Sequence, residues 1–301
     1  MALYIISIPI VLIFLFANYF IPRIIIQLRG GIFSYIKPKV TELAHPDDFL
    51  LNSEKIDIVT KDNLYLSAYL IKTEQDTQKG TIILLHGIRS CKENNLPVCK
   101  YLADEGYNSV IIDLRAHGAS QGKFCTFGFY EKHDIVTLID TLYNVKNLNL
   151  NIGIWGQSLG GAISLQTLEI DKRLKFGIIE STFTDFRTII HDYFFYHMKF
   201  KLSFFTNYMI NRAGRIAKFK VSEIQPLQSA KSITQPILLA HGEEDKKIDI
   251  KYGKEIFKVL QNKNNKFISI PKAGHSNLKA TAGDNYIKEV ILFIDKNFTI
   301  N

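Results

Sequence analysis

The sequence predicts an α/β fold, a mostly parallel sheet with helices on both faces, preceded by a membrane-spanning helix. Three observations carry this expectation. Short, nearly continuous apolar runs such as residues 81–85 (TIILL) and 109–114 (SVIIDL) read as strands buried on both faces. They alternate with longer stretches of helical spacing; in residues 130–145, Ile135, Leu138, Ile139 and Leu142 fall on one face. Residues 1–22 contain no charged side chain.

The chain has 301 residues, 47% apolar and 22% charged, enough for a sizeable core and close to the globular average. That balance excludes disorder, collagen-like repeats and coiled coil as the main architecture. Three cysteines (Cys91, Cys99, Cys125) are too few and too odd in number for a disulfide scaffold. The formal charge of +8 suits an anionic membrane surface or nucleic acid but carries no information on fold.

Residues 2–21 read ALYIISIPIVLIFLFANYFI. Twenty helical residues span ~30 Å, the thickness of a bilayer's hydrocarbon core. Pro9 is tolerated near the start of such a helix, and Tyr4, Asn18 and Tyr19 lie near its ends, at the interface. The basic n-region and small-residue cleavage site of a signal peptide are missing. Residues 1–22 are therefore expected to anchor the chain and to stand outside the globule. Arg23, Arg29, Lys37 and Lys39 follow the span and none precedes it, which places the remainder in the cytoplasm by the positive-inside rule. Residues 23–54, punctuated by Pro38 and Pro46, are expected to form a linker and lead-in.

The domain proper is expected over 55–301. Residues 55–60 and 64–71 alternate about Lys61-Asp62-Asn63, an antiparallel hairpin at one edge of the sheet. Strands follow at 81–85, 109–114, 151–155, 176–180, 237–240 and 266–270. Helices follow at 98–105, 130–145, 159–170, 251–260 and 286–297. Residues 182–234 break the rhythm. They are rich in aromatics (among them Phe183, Phe186, Tyr193, Phe194, Phe195, Tyr196, Phe200, Phe204 and Phe205) and in basic residues (Lys199, Lys201, Arg212, Arg215). Insertions of that length carry their own structure. A helical cap over the sheet is expected, with most of its aromatics forming its own core and its basic residues a solvated face or a contact with anionic lipid.

Gly156-Gln157-Ser158-Leu159-Gly160 fits G-x-S-x-G between a strand and a helix, the setting in which this motif lifts a serine onto a sharp turn. A serine hydroxyl needs a base. His275, in Ala273-Gly274-His275-Ser276, is the last histidine of the chain and lies in a loop after a strand. Asp245 follows a strand in His241-Gly242-Glu243-Glu244-Asp245 and would fix the imidazole, with Glu243, Glu244 and Asp249 as alternative acids. The order Ser158, Asp245, His275 is the nucleophile–acid–base order of one hydrolase architecture. The oxyanion needs two donors. The N–H of Leu159 is one, and the N–H of Ile88, after His86-Gly87, is the other. His86 is read as orienting that loop, His117 as packing it, and Asp113 as tying down the turn 115–120.

These motifs, with Asp113-Leu114-Arg115-Ala116-His117-Gly118-Ala119-Ser120, cover about residues 55–298 and resemble the α/β-hydrolase superfamily, in its branch of monoacylglycerol-lipase-like lysophospholipases and serine aminopeptidase-type hydrolases. The resemblance implies Ser158 as nucleophile, His275 as base and Asp245 as orienting acid; the apolar start departs from its soluble members. The expected activity is carboxylic ester hydrolysis, possible lipid or acylated substrates included, through an acyl-enzyme. An amidase or peptidase, an acyltransferase and a non-catalytic membrane scaffold are the alternatives. No metal-ligand spacing, Walker A or dinucleotide fingerprint occurs, so no metal or cofactor is assigned. No nucleic-acid module is recognised.

Overall fold

A computed structural model describes residues 15–28, 44–145 and 148–298. Its described residues contain one eight-stranded sheet. In chain order the strands are β1 (Asn52–Val59), β2 (Tyr65–Lys72), β3 (Gly80–Leu85), β4 (Tyr107–Ile112), β5 (Ile152–Gln157), β6 (Leu174–Glu180), β7 (Ile237–Gly242) and β8 (Lys266–Ile270). Their spatial order is β1-β2-β4-β3-β5-β6-β7-β8. The edge hairpin β1–β2 is antiparallel, as is β2 against β4, and every later pair is parallel.

The helices are α1 (Ile21–Ile26), α2 (Leu96–Asp104), α3 (Glu131–Leu142), α4 (Leu159–Ile170), α5 (Phe186–Met198), α6 (Ser203–Ala217), α7 (Pro226–Ser232), α8 (Ile250–Val259), α9 (Leu278–Ala282) and α10 (Asp284–Phe298). The strand period of two divides the core into two halves. Ile83 and Leu85 of β3 join Val110, Ile154 and the residues of α3 and α4 on one face. Ile82 and Leu84 join Ile111, Trp155 and the residues of α2 and α10 on the other. Every residue of β3, β4 and β7 is buried, which is why these strands read as continuous apolar runs. The helix expected at 286–297 is α10, and a short helix not among those expected, α9, precedes it and ends at Gly283, whose φ of +63° breaks the backbone between the two.

The segment between β6 and β7 supplies two helices in contact, α5 and α6, and the short α7. Asp185 caps α5 by accepting from the N–H of Thr188 at 2.9 Å, and Lys199 ends it in the left-handed region. Phe186 enters the core against Phe127 and Phe219, at 4.5 and 5.7 Å between ring centroids. The expectation that most cap aromatics form an internal core is corrected here. Phe183, Phe186 and Phe219 are buried, whereas Phe195, Tyr196, Phe200, Phe204 and Tyr208 are exposed. The exposed rings cluster around the turn between α5 and α6, while the buried ones lie toward the two ends of the segment.

Residues 2–14 of the expected anchor, and residues 29–43 of the expected lead-in, lie outside the described residues. Among the described residues no helix is long and apolar enough to cross a membrane. Where the sequence places the anchor's end and a linker, the chain instead packs on the globule. Residues 16–20 form a π-helical turn that runs into α1, which Pro22 opens. Pro22 and Ile26 are buried, and the Ile26 carbonyl accepts from Cys125 N at 2.8 Å. Asn18 accepts hydrogen bonds from the Tyr208 hydroxyl and, at its carbonyl, from Arg212 of α6 at 3.3 Å.

Candidate active site

Ser158 sits between β5 and α4 with φ +55° and ψ −114°. A non-glycine residue here stores of order 1–3 kcal/mol of strain, which the surroundings must hold. The Ser158 N–H donates to Glu180 O at 2.8 Å, and its carbonyl accepts from the Thr182 hydroxyl at 2.9 Å and from Ala162 N at 3.1 Å. The flanking glycines follow from close approach. A Cβ on Gly156 would lie 2.2 Å from Gly160 O, and one on Gly160 would lie 2.2 Å from Leu85 O. The elbow is thus clamped against the end of β3.

The structure brings the three candidate side chains together across 117 residues of sequence. Ser158 Oγ lies 3.0 Å from His275 Nε2, and His275 Nδ1 lies 2.8 Å from Asp245 Oδ2. A carboxylate can only accept, so the proton rests on Nδ1 and Nε2 is the free acceptor for the serine proton. Asp245 is held from both sides. Its Oδ1 accepts from the N–H groups of Lys247 and Ile248, both at 2.9 Å, while Oδ2 also faces His241 Nε2 at 3.5 Å. Burial alone would push this carboxyl up. The neighbouring His241, the hydrogen bond from His275, the charge His275 carries once protonated and the Ile248 N–H together hold it well below the ordinary carboxylate range. The alternative acids fall away: Glu243 and Glu244 are exposed, and Asp249 instead caps α8 through Lys251 N at 2.8 Å.

Leu159 opens α4, so its N–H belongs to the helix's unpaired first turn. Gly87 lies directly against the serine, since a Cβ built on it would be 3.6 Å from Ser158 Cβ. The half-buried Ile88 follows it. His86 fixes that loop. The Leu114 N–H donates to His86 Nε2 at 3.1 Å, so the ring's proton is on Nδ1, which donates to Gly87 O at 2.7 Å. The Gly87 carbonyl and the Ile88 N–H share one planar peptide, so anchoring the first aims the second the opposite way. Burial, with the neighbouring His117, lowers the His86 pKa to about 4 and keeps the ring neutral.

Asp113 ties the adjacent turn as the sequence suggests, accepting from Ala119 N at 2.8 Å. It also accepts from Lys92 twice, from the N–H at 2.8 Å and from Nζ at 2.7 Å. Nothing in the sequence marked Lys92, because a lysine amid polar neighbours reads as surface; its burial becomes visible only through Asp113. His117 is buried with its Nδ1 3.0 Å from Arg115 O. His241 was likewise missed as a second neighbour of Asp245; its place four residues before the acid, at the end of a strand, was the available signal. Among the described residues no group of three or more His, Cys, Asp and Glu side chains is placed to hold a metal ion.

A doubly wound sheet with a serine elbow, and with the candidate acid and base on loops after later strands, defines an α/β hydrolase by fold. Comparison with known proteins agrees. The chain belongs to the prolyl oligopeptidase family, whose profile matches residues 97–301. It is 27% identical over 223 residues to Uncharacterized protein YqkD of Bacillus subtilis, covering 72% of this chain and 71% of that one. It is 25% identical over 256 residues to protein bem46 of Schizosaccharomyces pombe, covering 84% and 80%. Among solved structures it resembles the esterase Pf2001 of Pyrococcus furiosus with a TM-score of 0.71 at 24% identity, covering 87% of this chain and 99% of that one.

Proposed function

We propose that this chain is a membrane-anchored serine hydrolase that cleaves carboxylic esters through an acyl-enzyme. The observation that carries the reading is the continuous hydrogen-bonded line from Ser158 Oγ through His275 to Asp245. In the proposed reaction His275 Nε2 takes the Ser158 proton as Oγ bonds to the ester carbon. The developing oxyanion is held by the N–H groups of Ile88 and Leu159. The imidazolium, steadied by Asp245, gives its proton to the leaving alcohol. Water then enters, His275 takes its proton, and the tetrahedral intermediate returns the acid and free Ser158.

The membrane part of the reading rests on the sequence alone, on the apolar run 2–21, whose described end at residues 15–21 lies against α6, and on the basic residues that follow it, which would set a cytoplasmic hydrolase domain over 55–301. Together with the aromatic cap at about 182–234, it favours an ester with an apolar acyl chain, such as a lysolipid, a monoglyceride or an acylated protein. The prolyl oligopeptidase family favours a second reading, hydrolysis of a peptide or aminoacyl amide on the same three residues. One series separates them: p-nitrophenyl esters of increasing chain length against aminoacyl p-nitroanilides, with Ser158→Ala alongside. The ester reading expects Ser158-dependent rates that rise with acyl length. Preference for the anilides would move the assignment to the amidase, and rates unchanged by Ser158→Ala would end both.

A further inference from the structure

The tip of the cap is built unlike the rest of the surface. All of residues 195–204, from the end of α5 into the first turn of α6, are exposed. Six of them are large and apolar: Phe195, Tyr196, Met198, Phe200, Leu202 and Phe204, with Phe204 90% exposed. Lys199 and Lys201 are the formal charges of the stretch, and it contains no acid. Their stems fold along the rings, with Lys199 Nζ 4.8 Å from the Tyr196 centroid and Lys201 Nζ 5.6 Å from that of Phe195. A contiguous apolar patch of this kind marks a contact surface. Basic groups on long stems beside exposed rings match the interface of an anionic bilayer.

A second observation names the occupant. Phe204 and Tyr208 share one face of α6, about one helical turn or ~6 Å apart, and Tyr208 is bonded to Asn18. Leu15, Phe16, Tyr19 and Phe20 beside that contact are themselves exposed. The chain preceding them, residues 1–14, has no charged side chain. Residues 15–20, the described end of that uncharged sequence, therefore meet α6 beside the cap tip. We propose that residues 195–204 dock on the same lipid surface that receives the N-terminal run, as a second membrane contact that turns the cap toward the bilayer. The inference rests on the membrane part of the function proposed above.

The test uses the full chain with vesicles of phosphatidylcholine and phosphatidylglycerol carrying brominated acyl chains. Trp155, the one tryptophan of the sequence, is buried in the sheet and supplies the background. Phe204→Trp is expected to add blue-shifted emission that the brominated lipid quenches, in protein that floats with the vesicles. Flotation without quenching overturns the docking and leaves the anchor standing. Quenching without flotation overturns the anchor as the main attachment and retains the docking; absence of both overturns both. A blue shift without lipid quenching, in protein of doubled mass, assigns the patch to a second copy and overturns the proposal. Leu202→Glu with Phe204→Glu provides an independent readout. It is expected to lose about tenfold or more in rate on an ester dispersed in the vesicles, and nothing on a soluble short-chain ester. Equal rates on both would contradict the proposal.

Discussion

Replacing His86 with leucine tests how the candidate oxyanion loop is held, because one ring carries two separable effects. The substitution removes the donor to Gly87 O and the acceptor for Leu114 N–H. Each buried group left unpaired costs about 1–3 kcal/mol, although Gly87 O keeps the Ser90 N–H at 3.3 Å. The freed peptide no longer fixes the Ile88 N–H, and losing one oxyanion donor outright costs about 10²–10³ in kcat. The expected fall in kcat therefore lies between about tenfold and that ceiling, with little change in KM. The second effect is on stability. Folding lowers the His86 pKa from 6.5 to about 4, so below pH 6.5 the unfolded chain binds a proton that the folded chain refuses. The contribution is fully present above pH 6.5 and is lost as pH falls toward 4, by about 3 kcal/mol. Denaturant titrations at pH 7 and pH 4 should show the parent losing about that much more than the variant. A folded variant with the parent's kcat, or with the parent's pH slope, would refute the reasoning.

Three further outcomes follow from the geometry. Asp245→Asn leaves the fold intact but disturbs the imidazole tautomer and the stabilisation of its charged form, and kcat on a p-nitrophenyl ester should fall by about 10⁴ with KM retained. Gly156→Ala places a Cβ 2.2 Å from Gly160 O and 2.5 Å from Ser164 Oγ, and thermal melts should show a loss of about 3 kcal/mol or more. Lys92→Met strands the buried Asp113 carboxylate, an expected loss of about 3–5 kcal/mol by denaturant titration, and adding Asp113→Asn should recover part of it.

The parallel core was legible because burial on both faces writes itself as β-branched runs, and helix α4 was read to the residue from Ser158 and the glycines beside it. The same rule explains the site. Ser158, Asp245 and His275 each follow a strand at the same edge of a parallel sheet, so chain order alone places them together. What escaped reading depends on long-range contact. Lys92 looks like surface until Asp113 is beside it, and His241 looks like a strand end until the Asp245 loop folds back over it. The cap's aromatics misled for a related reason: composition says they are apolar, but only the folded chain says which of them have a core to enter. The run before Pro22 misled at its end, where α6 supplies a contact for Asn18 that the sequence of residues 15–26 does not announce.

The central claim is that Ser158 is a nucleophile activated by His275. Reaction of the full chain with a fluorophosphonate, followed by peptide mapping by mass spectrometry, tests it without knowledge of the natural substrate. The account predicts a single phosphonyl adduct on Ser158, absent from Ser158→Ala and strongly slowed in His275→Ala. Folded protein that stays unlabelled, or that is labelled at another residue, would contradict it.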